Sequence, residues 1–257
     1  MPRRALLLLC LVPHIQAGAQ TSAHGPDAAA FDRLDGRAQE LVHTVRCASY
    51  VARMRAQGRF GRPDSLGGSG HCVRIEGHDI GVFLDADSAT RLARRLSAVK
   101  LADGTRYTGP LDTAGLVART LASENAQLRG SQAYEKADRE YAPLVIWPSA
   151  DSLQVWLMPT GLFEGKSLGG EHGFVYSSDG RRLVEEINAF DKFRTLEIPD
   201  SGSVLLLSTE SELPLFSEMV LANLLNGVGR QVTINTTRYS STLTGRGVSL
   251  WLHVPRR

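Results

Sequence analysis

The stretch that decides the fold class is SLGGEHGFVYSSDGRRLVEE, residues 167–186, because apolar and polar side chains alternate on both sides of an Asp-Gly pair. This alternation predicts two short antiparallel strands with Asp179-Gly180 as a two-residue turn. In the register that follows from this turn, Tyr176 lies opposite Leu183. The segment is therefore predicted to be a β-hairpin, and it marks the surrounding sequence as β-rich.

The entrance of this hairpin contains an adjacent carboxylate and imidazole, Glu171 and His172, which are side chains used in general acid–base catalysis. The predicted register brings His172 diagonally close to Glu185, within reach of a hydrogen bond. Glu171 falls on the opposite face of the strand. Two interpretations follow: a hairpin with a polar entrance, which we favour, and a catalytic site whose candidate residues are His172, Glu185 and Glu171.

The rest of the chain separates into a helix-rich part and a β-rich part. From residue 142 to 257 the pattern predicts an antiparallel sheet packed by one helix, and from 27 to 141 it predicts helices with a small hairpin. Helices and strands do not alternate as βαβ units, so the predicted class is α+β. The polar residues 131–141 mark the expected boundary between the two subregions.

In the helix-rich part, the spacing of apolar residues predicts helices that begin at Asp27 and at Asp112. A hairpin with a tight reversal at Glu76-Gly77-His78 is predicted between them. A further helix is predicted after this hairpin, with its apolar positions at Leu92, Leu96 and Val99. The one helix of the β-rich part is expected to be capped by Ser211 or Glu212.

The amino terminus has the pattern of an export leader. Two arginines precede an apolar run over residues 5–12, and Ala17-Gly18-Ala19 follows as a cleavage site. The run is shorter than the roughly 20 apolar residues that a membrane span needs. We therefore expect a signal peptide over residues 1–19, a linker over residues 20–26, and a bacterial protein that is periplasmic or secreted.

The charge balance argues against a nucleic-acid partner. The chain has 29 Lys and Arg residues against 27 Asp and Glu residues, and removal of the leader takes two arginines away. Proteins that bind nucleic acid through phosphates usually carry a basic domain or stripe, whereas here the two signs are interspersed. No later segment is apolar over the length of a transmembrane segment. Neither nucleic acid nor a membrane span is therefore expected.

Two cysteines remain in the mature chain, Cys47 and Cys72, and an oxidising compartment favours a disulfide between them. Closing a loop of about 25 residues stabilises a fold by about 3 kcal/mol. The alternatives are free thiols, a zinc site made by His43, Cys47, His71 and Cys72, and a catalytic thiol with His71 or His78 as its base. Neighbours on a strand point to opposite faces, so His71 and Cys72 would share a metal only from a turn. No metal or cofactor is therefore predicted.

The sequence lacks the common catalytic signatures, including a G-x-S-x-G elbow, an H-E-x-x-H motif and a P-loop lysine. We therefore expect an exported binding or accessory module of the bacterial envelope, with a protein, a peptide or an envelope component as partner, rather than an enzyme. The alternative is an exported hydrolase of unfamiliar type that uses His172 with a nearby carboxylate. The module predicts an exposed apolar patch, and the hydrolase predicts a pocket that holds His172 or His71 beside a carboxylate.

Overall fold

The structure is a computed structural model of the chain. It describes residues 27–57, 69–86, 93–134, 141–149, 151–163, 165, 167–188, 194–199, 201–208, 211–245 and 250–256. The predicted signal peptide and linker lie outside the described residues.

The helices are α1 (Ala28–Ala56), α2 (Thr113–Tyr134), α3 (Thr160–Phe163) and α4 (Phe216–Gly227). The strands are β1 (Ser69–Ile75), β2 (His78–Ala86), β3 (Ala93–Lys100), β4 (Tyr141–Ser149), β5 (Ser152–Pro159), β6 (Ser167–Leu168), β7 (His172–Ser177), β8 (Leu183–Asn188), β9 (Arg194–Thr195), β10 (Val204–Leu207), β11 (Val232–Asn235), β12 (Tyr239–Thr244) and β13 (Leu250–Pro255). The α+β class predicted from the sequence is confirmed.

Both long helices begin where the sequence predicts. Asp27 Oδ1 accepts a hydrogen bond from the Ala30 amide at 3.1 Å, and Asp112 Oδ1 accepts one from the Gly115 amide at 2.9 Å. Each carboxylate thereby satisfies an amide that the first helical turn leaves without a partner. None of the described helices combines the length and the apolar character needed to cross a membrane.

The first sheet contains β1, β2 and β3, in that order and antiparallel. The predicted hairpin between β1 and β2 is confirmed. Ile75 pairs with His78, and Glu76 and Gly77 reverse the chain with φ angles of 50° and 79°. Glycine suits this turn because the left-handed region costs it nothing sterically.

β3 occupies a stretch for which the sequence predicts a helix, so that prediction is wrong; Leu92 itself lies outside the described residues. Ala98 and Val99 are both buried, Ala98 on the side of the sheet that packs against α2 and Val99 on the side that packs against α1. A strand that is buried on both faces lacks the alternation of apolar and polar residues. Over so short a stretch, periodicity does not distinguish it from a helix.

The second sheet contains β4, β5, β7 and β8, in that order and antiparallel. α1 packs against one face of it through Leu41, and α2 packs against the other face through Ala122. The same helices cover the first sheet, α1 through Val51 and α2 through Leu121. The two sheets therefore lie in one layer between α1 and α2, with β1 and β4 at their edges.

The third sheet has the order β10-β11-β12-β13. β10 and β11 are parallel and are connected through α4, whereas the other pairs are antiparallel. One buried cluster joins this sheet to the second, since it contains Leu41 of α1, Trp156 of β5, Met219 of α4 and Ile234 of β11. The β-rich half thus carries two four-stranded sheets, a division that the sequence pattern did not predict.

Candidate functional site

β7 and β8 form the hairpin predicted for residues 167–186, and Tyr176 lies opposite Leu183 as predicted. The predicted two-residue turn at Asp179-Gly180 is wrong, because the Gly180 amide donates to the Ser177 carbonyl and the Ser177 amide donates to the Arg182 carbonyl. Beyond this pair Val184 is an extra residue in β8, because the next residue to pair is Glu185. Such a bulge shifts every later pair by one position. The side chains that follow it therefore meet different partners from those predicted.

His172 consequently meets Glu186 and not Glu185. Its Nε2 lies 2.8 Å from Glu186 Oε1, and its ring packs against Phe174 with 4.8 Å between centroids. The His172 side chain is 9% exposed, whereas that of Glu186 is 44% exposed. The hairpin thus pairs a buried imidazole with a carboxylate on the solvent side.

Glu171 serves a different element, α4. It is buried, and its Oε1 accepts a hydrogen bond from the Ser217 amide at 3.2 Å. The N-cap residue of α4 is Leu215, whose side chain makes no capping hydrogen bond. The predicted caps, Ser211 and Glu212, precede this position, so that prediction is wrong. Glu171 instead supplies, from outside the helix, the acceptor that an N-cap side chain normally provides.

Burial raises the pKa of Glu171, and the nearby carboxylate of Glu218 adds to this shift, while the hydrogen bonds from Ser217 oppose it. Glu218 is itself bonded to the Leu215 amide at 2.8 Å and to the Arg194 guanidinium. Glu171 therefore bonds the first turn of α4, and His172 bonds a residue of β8. The two neighbours bond separate partners, as their positions on opposite faces of the strand predict.

The predicted disulfide is confirmed, since Cys47 of α1 and Cys72 of β1 are bonded with 5.8 Å between their Cα atoms. It attaches the edge strand β1 to α1. Within the zinc alternative, His43 Nε2 lies 3.4 Å from Asp79 Oδ1 on β2, whereas His71 bonds to α2. The structure thus places His43 with the two cysteines and Asp79, and places His71 on the other face of the sheet.

His71 is buried under α2. Its Nε2 lies 2.8 Å from Thr120 Oγ1, and the same hydroxyl donates to the Leu116 carbonyl at 3.1 Å. Because the hydroxyl gives its one proton to the carbonyl, the ring must donate from Nε2. Burial, together with the charge of Arg119, lowers the pKa of His71 to about 4. The imidazole is therefore neutral at neutral pH.

A cleft opens beside the disulfide, between the edge strands β1 and β4 and the helices α1 and α2. It comprises two adjoining hollows of about 350 and about 410 Å³, and the residues common to both are Thr44, Cys72, Arg119 and Val145. His71 lines the first hollow and His43 lines the second. Binding sites for small ligands typically measure about 300–1,000 Å³, so the cleft is large enough to hold a ligand.

The backbone of β1 faces this cleft. Arg119 Nη1 donates a hydrogen bond to the Cys72 carbonyl at 3.4 Å, so the main-chain groups of Cys72 point away from β2. Alternate residues of an antiparallel strand behave alike, so Gly70 and Arg74 present their backbone in the same direction. On the opposite wall, β4 accommodates Pro143, which has no N–H, because within the described part of the chain β4 pairs with β5 alone and is an edge strand.

The two sheets therefore end at strands that line one cleft, and the same two helices cover both of them. Continuing either sheet into the cleft places a further strand between α1 and α2. At this point the α1 wall carries the small side chains of Thr44 and Ala48. The α2 wall carries Ser123 together with the longer side chains of Arg119, Glu124 and Gln127. This geometry suits an extended chain that pairs with a sheet edge.

Charges of both signs surround the cleft. Burial lowers the pKa of Arg119, and the carboxylates of Glu40 and Asp112 oppose this shift. Glu124 lines the first hollow together with Arg119. Neither sign dominates, so the cleft has no strong field that selects a ligand by net charge.

The outer face of the third sheet is a second exposed surface. Leu205 and Leu207 of β10, and Leu252 and Val254 of β13, are each about half exposed. In the register of the four strands, Leu205 shares a row with Leu252, and Leu207 shares a row with Val254. The positions between them on β11 and β12 are Thr, Ser or Asn. The apolar side chains thus form two separate groups on the outer strands β10 and β13. They are not the contiguous exposed apolar patch that the sequence analysis associates with a binding module.

Sequence reasoning did not identify Arg119, Thr44 or Ala48, because the cleft forms between elements that are far apart along the chain. The one local signal is Pro143, which precedes the strand predicted from residue 144; in the structure it lies inside β4, where proline indicates an edge. Compared with protein families, with curated proteins and with solved structures, this chain matches none.

Proposed function

We propose that this protein is an exported module of the bacterial envelope that binds an extended peptide segment of a partner protein in the cleft between β1 and β4. The observation that carries the proposal is that two sheets, covered by the same pair of helices, both end at this cleft. A bound segment becomes the strand between them. This is recognition by β-strand addition.

β1 supplies the main-chain hydrogen bonds for the segment. Paired strands lie about 4.8 Å apart, and an edge strand bonds its partner through alternate residues. On β1 these residues are Gly70, Cys72 and Arg74. The Cys72 carbonyl already accepts a bond from Arg119, but at 3.4 Å this bond is longer than the usual N–H···O distance. A carbonyl oxygen has two lone pairs, so a peptide amide can donate to Cys72 beside the guanidinium.

The two helices supply selectivity, because successive side chains of an extended segment point to opposite sides. Side chains directed toward α1 meet Thr44 and Ala48, which are small and leave room for β-branched or aromatic residues. Side chains directed toward α2 meet Arg119 and Ser123. We therefore expect ligands in which apolar residues alternate with polar ones.

The polar groups of the cleft support binding rather than catalysis. His71 donates from Nε2 to Thr120, and its pKa of about 4 lies far from the neutral range in which a general base is most effective. The disulfide between Cys47 and Cys72 supports the proposed location outside the cytosol, because such bonds persist in oxidising compartments.

Selection from a random peptide library against the oxidised mature protein tests this proposal. We expect peptides with alternating apolar and polar residues that bind with one peptide per chain. Ala48→Trp places a large ring in the cleft beside α1 and is expected to weaken peptide binding about tenfold or more. The matched control is Ser49→Trp, which adds the same ring to the same helix at a residue outside the cleft lining.

Methylation of the peptide backbone distinguishes strand addition from binding through side chains alone. Alternate amides of an extended peptide point to the same side. N-methylation of the amides that face β1 is expected to abolish binding, and methylation of the intervening amides is expected to weaken it less. Equal losses from the two sets, or unchanged binding by Ala48→Trp, would contradict the proposal.

A further inference from the structure

His43, Cys72 and Asp79 converge where the cleft meets the disulfide. The ligand atoms of these three side chains, one nitrogen, one sulfur and one oxygen, all lie within 4.8 Å of one another. The sulfur of Cys47 is bonded to that of Cys72 and therefore lies at the same place. Imidazole, thiolate and carboxylate are the side chains that zinc binds in proteins.

The spacing fits a tetrahedral metal. His43 Nε2 and Asp79 Oδ1 are 3.4 Å apart. Two ligands at zinc distances of about 2.0–2.1 Å in a tetrahedron are separated by about 3.3 Å. His43 and Cys47 are one helical turn apart on α1, while Cys72 and Asp79 lie on the adjacent strands β1 and β2. The four side chains thus approach a single point from a helix and from a sheet.

We propose that the protein with its disulfide reduced binds one Zn²⁺ through His43, Cys47, Cys72 and Asp79, and that the disulfide form does not bind it. While the two sulfurs are bonded to each other, neither provides the thiolate that coordinates a metal. The zinc site considered in the sequence analysis has His71 as its fourth ligand. The structure replaces it with Asp79, because His71 is bonded to Thr120 on the opposite face of the sheet.

A dithiol reduces the disulfide in two exchange steps. One thiolate of the dithiol attacks a sulfur of the disulfide, which forms a mixed disulfide and releases the other cysteine as a thiolate. The second thiolate of the dithiol then attacks its own sulfur in the mixed disulfide, which releases the second cysteine as a thiolate and leaves the dithiol as a cyclic disulfide. Cys47 and Cys72 have thereby gained two electrons and two protons. Zn²⁺ displaces these two protons when it binds, so its affinity falls as the pH is lowered.

The metal preserves the attachment of β1 to α1. In the oxidised protein the covalent bond between Cys47 and Cys72 joins these two elements. In the reduced protein Zn²⁺ joins the same residues and adds β2 through Asp79, which in the oxidised state pairs with Arg74 at 3.2 Å. A wall of the cleft is therefore held in place in either redox state.

Titration of the reduced and the oxidised mature protein with Zn²⁺ tests the inference. A phosphine reductant keeps the cysteines free without adding a competing thiol. Competition with a chromophoric chelator is expected to show one Zn²⁺ per reduced chain and none per oxidised chain. Zn²⁺ is also expected to raise the Tm of the reduced protein and to leave that of the oxidised protein unchanged. Co²⁺ is expected to show thiolate charge-transfer absorption with the reduced protein.

Variants that keep both cysteines identify the remaining ligands. His43→Ala and Asp79→Asn are each expected to weaken Zn²⁺ binding by the reduced protein about tenfold or more. The control is His78→Ala, on an exposed residue beside Asp79, which is expected to bind as the wild type does. All three keep both cysteines and are expected to fold with the disulfide formed, so their integrity is checked in the oxidised state. Binding by the oxidised protein, no binding by the reduced protein, or wild-type affinity in His43→Ala would overturn the inference.

Discussion

The β1–β2 and β7–β8 hairpins each place a polar pair near the start of their first strand, His71-Cys72 in one and Glu171-His172 in the other. β7 lies inside its sheet between β5 and β8, and its polar side chains are bonded to Ser217 and Glu186. β1 lies at a sheet edge, and its polar pair lines a cleft. The position of a strand in its sheet, more than the residue types it carries, therefore decides whether its polar groups lie beside the cleft.

The turns of the two hairpins provide the largest expected difference. Gly77 and Gly180 both have positive φ, but a Cβ at Gly180 would lie 2.2 Å from the Ala118 carbonyl oxygen, whereas at Gly77 it would meet nothing within 4 Å. We expect Gly77→Ala to lower the free energy of unfolding by about 1 kcal/mol, the cost of the left-handed conformation alone. Gly180→Ala is expected to cost about 3 kcal/mol or more, because α2 must also move. Urea unfolding measures both, and equal losses would contradict the packing of the β7–β8 turn on α2.

The buried imidazole of β1 is expected to make stability sensitive to acid. The pKa of His71 is lowered from 6.5 to about 4 in the folded protein, so the unfolded chain binds the proton more readily. The contribution to stability is therefore complete above pH 6.5 and is lost as the pH falls toward 4, by up to about 3 kcal/mol. His71→Gln is expected to abolish this loss. Urea unfolding near pH 7 and near pH 4.5 measures it.

His78→Gln is the control for that experiment, because His78 lies on the exposed turn of the same hairpin. It is expected to keep the acid-dependent loss of the wild type. If His71→Gln and the wild type lose the same stability on acidification, the burial of His71 is contradicted.

In the β7–β8 hairpin, His172→Ala removes the 2.8 Å hydrogen bond to Glu186. We expect it to lower the free energy of unfolding by about 1 kcal/mol and to leave peptide binding unchanged, because His172 does not line the cleft. Thermal unfolding and peptide titration measure the two effects, with the exposed Glu185→Ala as control. A hydrolytic activity that His172→Ala abolishes without loss of stability would instead support the hydrolase hypothesis.

Glu171→Gln is expected to have the smallest effect, with a pH dependence opposite to that of His71. Burial raises the pKa of Glu171, so its contribution to stability is complete below the unfolded value of 4.5 and is lost as the pH rises through the folded pKa. Glutamine keeps an acceptor for the Ser217 amide and does not ionise. The variant is therefore expected to gain Tm relative to the wild type between about pH 4 and pH 8. A relative loss over this range, or the same trend in the exposed Glu185→Gln, would contradict this account.

The features that sequence analysis predicted correctly depend on residues close together in the chain. The caps at Asp27 and Asp112 and the Glu76-Gly77 turn are of this kind, and the structure confirms all three. The bulge at Val184 has no signal in the neighbouring residues, so the sequence predicts a regular register. That register brings His172 close to Glu185, whereas the structure bonds it to Glu186. The cleft could not be predicted from the sequence either, because two sheet edges and two helices form it and only tertiary packing brings them together.

Amide hydrogen exchange in the oxidised protein, with and without a selected peptide, tests the central claim most directly. We expect the amides of Cys72 and Arg74 to exchange more slowly when the peptide is bound, because they then donate to the added strand. The amide of Leu252, on the exposed face of the third sheet, is expected to be unchanged. Protection confined to the third sheet, with β1 unaffected, would contradict the account.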